Sequence, residues 1–367
     1  MKRYVRLTCS LLLGIFVCSH SIAQHKKHPH FAVIGYYGGR PTMVDSFPVE
    51  KLTHLIFSFT HLRGSHMRVS NAADSLLIRK MVALKSRNPS LKIILSMGGW
   101  SGCQPCSEIF SSDTGRKAFA ASALELLQYF GADGVDLDWE YPVLPGFPGH
   151  AYSPSDKDNF TALITALHTA LGKKYELSFA AGGFAQYIEQ SIDWKKVMPQ
   201  INRVNLMTYD LVGGYATVSG HHTPLYSTPE TPESVDHAVT LLRQKGVPAK
   251  KIAIGAAFYA RIFENSAASP DGLHQPTKFR NGVSYRSFAT QFSIDSGYVY
   301  HWDATAQAPF YYRPEKKWFV SLDDSVSIRL KTKYALKKKL NGIMFWQLAD
   351  DRFSNGLLDV IDANARH

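Results

Sequence analysis

Short runs of β-branched, aromatic and leucine residues alternate along the chain with longer segments whose apolar positions recur every three or four residues. The near-continuous apolar runs predict strands buried on both faces over residues 31–36, 54–59, 92–96, 134–140, 176–181, 203–209, 251–256 and 342–346. The longer period predicts helices over 73–85, 114–130, 156–173, 232–245 and 325–340. In the second of these, Phe119, Ala123, Leu126, Leu127 and Phe130 make one apolar stripe suited to lying on a sheet. Eight strands with helical crossovers predict an α/β fold, a (β/α)8 TIM barrel.

Such a barrel takes about 250 residues, and this chain has 367. The surplus falls over 263–318, between the seventh and eighth strands, where turn-rich polar sequence is punctuated by aromatics. A structureless segment of that length is uncommon inside a compact domain. An α+β subdomain inserted within the barrel, with a small core of its own, is therefore expected.

Residues 1–23 combine Lys2, Arg3 and Arg6 with an apolar stretch over 11–17 and the small residues Ser21 and Ala23. This is the pattern of a signal peptide cleaved after Ala23, leaving a secreted or periplasmic catalytic domain over 24–367. Lipidation at Cys18 is the alternative, although branched Val17 stands where a small residue is expected. No later apolar run approaches the roughly 18 residues of a membrane span. Loss of the leader lowers the net charge from +11 to +8. The basic residues are scattered, and Lys337, Lys338 and Lys339 fall in a helical segment where a solvated face accounts for them. No nucleic-acid partner is expected, attraction to an anionic envelope stays open, and the chain is expected to be a monomer.

Of four cysteines, Cys103 and Cys106 remain after the leader is removed. An exported chain favours a disulfide between them. A redox Cys-x-x-Cys would open a helix beside a βαβ unit, whereas this pair lies in the polar stretch Ser101-Gly-Cys-Gln-Pro-Cys-Ser107, which points to a loop staple.

The chemistry concentrates in Asp133-Gly-Val-Asp-Leu-Asp-Trp-Glu140. In a strand, Asp136, Asp138 and Glu140 share one face while Val135, Leu137 and Trp139 take the other. Carboxylates crowded in this way raise one another's pKa, which keeps a protonated acid available near neutral pH. Glu140 falls at the strand's C-terminal end, where barrel active sites lie. A cation site would call for more oxygen donors or histidines, so no metal is expected. Ser96 lacks the flanking glycines of a nucleophile elbow, and no GxSxG, HExxH or phosphate loop occurs. Gly98 and Gly99 instead let the backbone pass close to other segments. No cofactor is expected.

The acidic stretch resembles the DxxDxDxE signature of glycoside hydrolase family 18, the chitinase family. Ser96-Met-Gly-Gly-Trp100 is similar to the family's SxGG element, Met207-Thr-Tyr-Asp210 to its MxYD element, and Gly342-Ile-Met-Phe-Trp346 to its eighth strand. The matches fall in the family's order and cover nearly the whole chain after the leader. The resemblance implies a secreted chitinase cutting β-1,4-linked N-acetylglucosamine polymers with retention, the substrate's 2-acetamido group acting as nucleophile. By the same resemblance Glu140 is the general acid and base, and Asp138 orients the acetamido N–H. Asp136 shares a proton or hydrogen bond with Asp138, Tyr209 donates to the acetamido oxygen, and Asp133 is structural.

Trp346 is implied as the floor under the sugar, with Met207 and Asp210 lining the pocket. Arg261, in Tyr259-Ala-Arg261 where the family carries YGR, is a candidate sugar contact. Tyr36, Phe59 and Trp100 are placed near substrate, Trp100 towards the leaving group, although each serves packing equally well. Gly220-His-His-Thr-Pro-Leu225 resembles the family's GHxSPL loop, read as a turn. The insertion is implied as one wall of a deep groove. Two other functions fit the same motifs: a non-catalytic chitin-binding lectin, and an endo-N-acetylglucosaminidase acting on N-glycans or peptidoglycan.

Overall fold

The structure is a computed structural model describing Met1 and residues 31–365. Apart from Met1, the expected leader and its cleavage site lie outside the described residues. In chain order the strands are β1 (Ala32–Tyr37), β2 (His54–Arg63), β3 (His66–Arg68), β4 (Lys92–Gly98), β5 (Gly134–Asp138), β6 (Glu176–Gly182), β7 (Arg203–Met207), β8 (Ile252–Ala257), β9 (Tyr259–Asn265), β10 (Thr277–Ser284), β11 (Val299–Asp303), β12 (Ala308–Arg313), β13 (Trp318–Ser321) and β14 (Gly342–Trp346). The helices are α1 (Ala72–Ala83), α2 (Cys106–Phe110), α3 (Asp113–Phe130), α4 (Asp156–Leu171), α5 (Ala185–Gln190), α6 (Trp194–Val197), α7 (Val235–Gln244), α8 (Phe288–Gln291), α9 (Ser325–Lys337) and α10 (Leu357–Ala365).

Strands β1, β2, β4, β5, β6, β7, β8 and β14 pair in parallel, and β14 returns to β1 to close a barrel. This is the predicted (β/α)8 architecture, and each barrel strand starts within one residue of its expected position. Helix α3 shows why the periodicity was readable. Phe119, Ala123, Leu127 and Phe130 are buried on one side, the Ser112 hydroxyl accepts from Gly115 N at its start, and Gly131 closes its end at φ +72°.

The outward strand faces and the helices share one large apolar core, whereas the barrel interior holds a smaller cluster that includes Ile34, Ile56, Ile94, Met207 and Met344. The interior is completed by buried polar residues, among them Ser96, Asp136, Ser178 and Asn205. At the N-terminal ends of β2, β6 and β7, His54, Glu176 and Arg203 plug the lower mouth. Arg203 Nη2 lies 2.5 Å from Glu176 Oε2, and His54 Nε2 lies 3.1 Å from the same oxygen.

Between β8 and α9 the chain builds a five-stranded antiparallel sheet in the order β10-β9-β13-β12-β11. Phe288, Phe292, Tyr298 and Val320 gather in one of its apolar clusters, and Phe263, Phe310, Tyr312 and Phe319 form another.

Three local features differ from the sequence expectation. The strands expected to reach Glu140 and Tyr209 end at Asp138 and Met207, so those two side chains stand on loops just past the sheet. Strand β2 runs on to Arg63 and turns back through β3 as a hairpin. Cys103 and Cys106 are bonded with Cα atoms 5.2 Å apart, but Cys106 opens the one-turn helix α2 rather than lying in a polar loop. Both are buried against Phe110 and the outer core, a packed position with no room for the thiol attack a redox motif requires.

Candidate active site

Register assembles the polar centre. Ser96, Asp136 and Ser178 are partners across β4, β5 and β6, so each neighbouring strand presents a hydroxyl to the carboxylate between them. Ser96 Oγ donates to Asp136 Oδ2 at 2.8 Å and Ser178 Oγ to Oδ1 at 2.6 Å. Tyr36 OH donates to Oδ2 at 3.0 Å and Asn205 Nδ2 to Oδ1 at 3.1 Å. Four donors thus occupy the acceptor sites of a fully buried carboxylate. Burial pushes the Asp136 carboxyl up, and the four donors oppose that rise.

Asp138, two residues along the same face, has a buried Oδ1 with no hydrogen-bond partner. The proton or hydrogen bond expected between Asp136 and Asp138 is not found among the hydrogen bonds of the described residues, because the donors around Asp136 already fill its oxygens. Burial, then the charges of Glu140 and Asp136, push the Asp138 carboxyl well above the usual range. At Glu140, burial raises the carboxyl to about 7, opposed by the Tyr141 hydroxyl and reinforced by Asp210. The pair therefore holds a proton close to neutral pH, shared between interacting groups.

Two glycines make this packing feasible. Gly98 and Gly99 adopt φ of +118° and +81°. A Cβ on Gly98 would stand 2.1 Å from the Asp138 carbonyl oxygen, and one on Gly99 would stand 2.5 Å from the Phe59 ring. The end of β4 thus lies directly against the carboxylate strand and the aromatic floor. Non-proline cis peptide bonds precede Phe59, Tyr141 and Gln347, all at this end of the barrel.

Above the acids opens a cleft of about 990 Å³, lined by Asp138, Glu140, Met207, Tyr209, Asp210, Trp346 and Phe59, among others. Trp346 and Phe59 stack with ring centroids 5.5 Å apart and planes 13° apart, a flat apolar surface next to the carboxylates. The hydrogen bond found for the Tyr209 hydroxyl is a weak 3.7 Å contact to Met344 Sδ, so its proton is free to turn to a ligand. Asp210, at φ +57°, is gripped by the Arg261 guanidinium through both carboxylate oxygens and by Tyr259 OH at 2.7 Å. His222 Nδ1 lies 3.4 Å from the same carboxylate. Burial opposes its ionisation, yet His222 and Arg261 hold Asp210 well below the usual carboxylate range.

Most of the residues singled out from sequence converge here, Trp100 included. Trp100 is 39% exposed and meets Tyr141, Phe147 and Tyr215 at the cleft edge. Asp136 and Ser96 lie buried beneath the cleft, and Tyr36 and Asp133 do not reach it either. Tyr36 is buried and commits its hydroxyl to Asp136, beneath the floor rather than in the groove. Asp133 sits at the start of β5, where its Oδ2 accepts from Ile93 N at 2.7 Å and lies 2.6 Å from Lys85 Nζ. The sequence reading passed over Ser178, Asn205, Tyr141 and Tyr259. The first two lie on the inward parity of their strands, but only the pairing of neighbouring strands gives them their role at Asp136.

The model of glycosyl hydrolases family 18 matches residues 32–351. Chitinase A1 of Niallia circulans is 34% identical over 299 residues, 75% of this chain but 43% of that protein, so the chain spans less than half its length. Chitotriosidase-1 of Mus musculus is 31% identical over 326 residues, covering 82% of this chain and 67% of the relative. Among solved structures, a family 18 N-acetylglucosaminidase from Paenibacillus barengoltzii superposes with a TM-score of 0.82 at 35% identity, covering 91% of this chain and 99% of that one. With its acidic strand face, its closed barrel and these relatives, the chain belongs to the glycosyl hydrolases family 18.

Proposed function

We propose that this chain is a chitinase that hydrolyses β-1,4 linkages in N-acetylglucosamine polymers with retention, through the substrate's own acetamido group. The observation that carries the reading is the row Asp136, Asp138 and Glu140 opening beside the Trp346–Phe59 surface, with a protonated carboxyl available near pH 7. A sugar ring lies with its C–H face on that indole. The acetamido carbonyl oxygen attacks C1 as the glycosidic C–O bond breaks, and Glu140 gives its proton to the leaving oxygen. Asp138, as the anion, accepts the acetamido N–H and stabilises the oxazolinium ion, while the Tyr209 hydroxyl donates to the acetamido oxygen. Water then loses a proton to Glu140 and attacks C1 from the vacated face, the bond from C1 to the acetamido oxygen breaks, and the product keeps the β configuration.

Asp210 and Arg261 form the polar wall of the same pocket, and Trp100 with Tyr215 flanks its outer edge. The insertion over 263–318 contributes a wall of the groove through Phe279. Export through a leader over 1–23 and a monomeric state complete the proposal. The similarity to an N-acetylglucosaminidase that is covered over 99% of its length supports a second reading of the same chemistry, release of single sugars. Wild type and Glu140→Gln are compared on N-acetylglucosamine pentamer and hexamer, with products weighed by mass and new anomers followed by NMR. Release of β-anomers by wild type alone is expected, dimers for a chitinase and monomers for the second reading. Binding without cleavage by both proteins would replace the proposal with a lectin. Absence of binding would redirect it to N-glycans or peptidoglycan.

A further inference from the structure

Among the buried polar atoms of the described residues that have no hydrogen-bond partner are Asp138 Oδ1 and the hydroxyl of Tyr187 on α5. The register locates the second relative to the first. Asp136 pairs with Ser178 and Leu137 with Phe179, so Ala180 and Gly182 continue the inward row of β6 at the levels of Asp138 and Glu140. A Cβ on Gly182 would come within 2.9 Å of Tyr187 Cγ. The Tyr187 ring, together with Phe184, therefore fills the space a Gly182 side chain would take.

Tyr141 closes the other side with its ring centroid 5.5 Å away, and Ser191 Oγ, just past α5, donates to Pro142 O at 2.7 Å. Helix α5 is thus fixed to the segment that follows the catalytic acid. The titratable groups facing the phenol are Asp138, Glu140 and Tyr141. On α5 itself Glu189 is exposed, and Glu233 accepts from Ala185 N at the helix start. On α7, packed against α5, Asp236 is engaged by Tyr334 and Lys338, and His237 is half-buried. Burial, then the charges of Asp138 and Glu140, push the phenol's own ionisation well up, so it remains a donor at every working pH.

We infer that Tyr187 is a positioning residue whose hydroxyl supplies the donor missing at Asp138 Oδ1 through a bridging buried water, and so favours the anionic Asp138 that receives the acetamido N–H. The inference rests on the reading of Asp138 and Glu140 as the reacting pair. Its chemistry is distinct from that of Ser96, Tyr36, Ser178 and Asn205, which are all committed to Asp136.

Tyr187→Phe removes the hydroxyl and keeps the ring, and the pH profile of kcat/KM on an aryl diacetylchitobioside reads the effect. With the melting curve retained, the acid limb is expected to rise by about one unit, which is about a tenfold loss on that limb, carried by kcat with KM little changed. A limb that stays in place in a folded Tyr187→Phe would overturn the inference. A purely packing role would lower stability or scale all rates without moving a limb. Should Tyr187→Phe fail to fold, 3-fluorotyrosine at position 187 keeps the shape and strengthens the donor. It is expected to move the limb down, and an unmoved limb there overturns the inference as well. Failure of wild type to cleave would remove the reacting pair and this inference together, whereas an active wild type with an unmoved limb removes the inference alone.

Discussion

The buried ion pair between Asp323 and Lys331 offers the sharpest test of how the site is held, because both side chains are 0% exposed. Lys331 Nζ donates to Asp323 Oδ2 at 2.6 Å and to Thr223 Oγ1 at 2.5 Å. Thr223 Oγ1 in turn lies 3.0 Å from the Thr208 carbonyl, the residue before Tyr209. Lys331→Met fills nearly the same volume, so no cavity contribution arises, but it strands a carboxylate in the interior. Stranding one partner of a buried pair costs about 3–5 kcal/mol. Asp323 would keep donors from Ser327 Oγ at 2.6 Å, Ala257 N at 3.0 Å and Thr223 Oγ1 at 3.2 Å, which places the cost near the lower end, about 3 kcal/mol. At about 2.1 cal/mol/K per residue, a domain of roughly 335 residues has an unfolding entropy of about 0.7 kcal/mol/K. The expected fall in Tm is then about 4 °C, measured by calorimetry beside urea titration. Asp323→Asn combined with Lys331→Met removes both charges and should recover most of the loss. A loss under about 1 kcal/mol for the single variant would refute the argument, since this interior would then tolerate a lone carboxylate.

Three further outcomes follow from the same geometry. With Glu140 held at about 7, kcat/KM should fall on the alkaline side through about pH 7 as the general acid loses its proton, and a pH–rate profile lacking that limb would assign the acid elsewhere. Arg261→Met deprives Asp210 of its two-pronged partner, and loss of such charged hydrogen bonds, worth about 1.5–3 kcal/mol, should reduce kcat/KM by about 10- to 100-fold. Steady-state kinetics within twofold of wild type would show that Asp210 does not shape the pocket. At the lower mouth, His54 and Arg203 outweigh burial and hold Glu176 at about 2, below its ordinary 4.5. A depressed carboxyl stabilises the fold above its unfolded pKa and ceases to do so as pH falls through the folded one. About 3 kcal/mol should therefore disappear between about pH 4.5 and 2, and denaturant titrations of Glu176→Gln should show a flatter acid dependence.

The parts of the fold that were legible in sequence are those governed by local rules. A strand buried on both faces must be apolar throughout, and a helix lying on it must show a stripe, so the barrel strands could be counted before any contact was known. The acidic row was equally legible, because alternation alone puts Asp136, Asp138 and Glu140 on one side. The donors around Asp136 were not. Ser178 and Asn205 are ordinary residues whose meaning depends on which strands lie side by side and in what register, and pairing across β4, β5, β6 and β7 is a property of the closed barrel. Tyr36 was singled out for its position but misplaced in depth, since its hydroxyl turns down to Asp136 instead of up to the groove.

The same dependence on register explains why the chemistry sits where strands end. Inside the sheet each inward carboxylate can recruit donors from both neighbouring strands, as Asp136 does, and becomes a fixed, fully satisfied charge. One step further the neighbours on that face are Gly98 and Ala180, which carry no donor, and Asp138 Oδ1 is left unpartnered. A further step beyond, Glu140 leaves the sheet altogether and faces the cleft with its proton retained to about pH 7. The row is therefore graded in hydrogen-bond satisfaction, from a buried anchor to a reactive acid. Replacing Ala180 with a hydroxyl-bearing residue would end that gradation, because a donor from the sheet itself would compete for the Asp138 carboxylate that the proposed reaction reserves for the acetamido N–H.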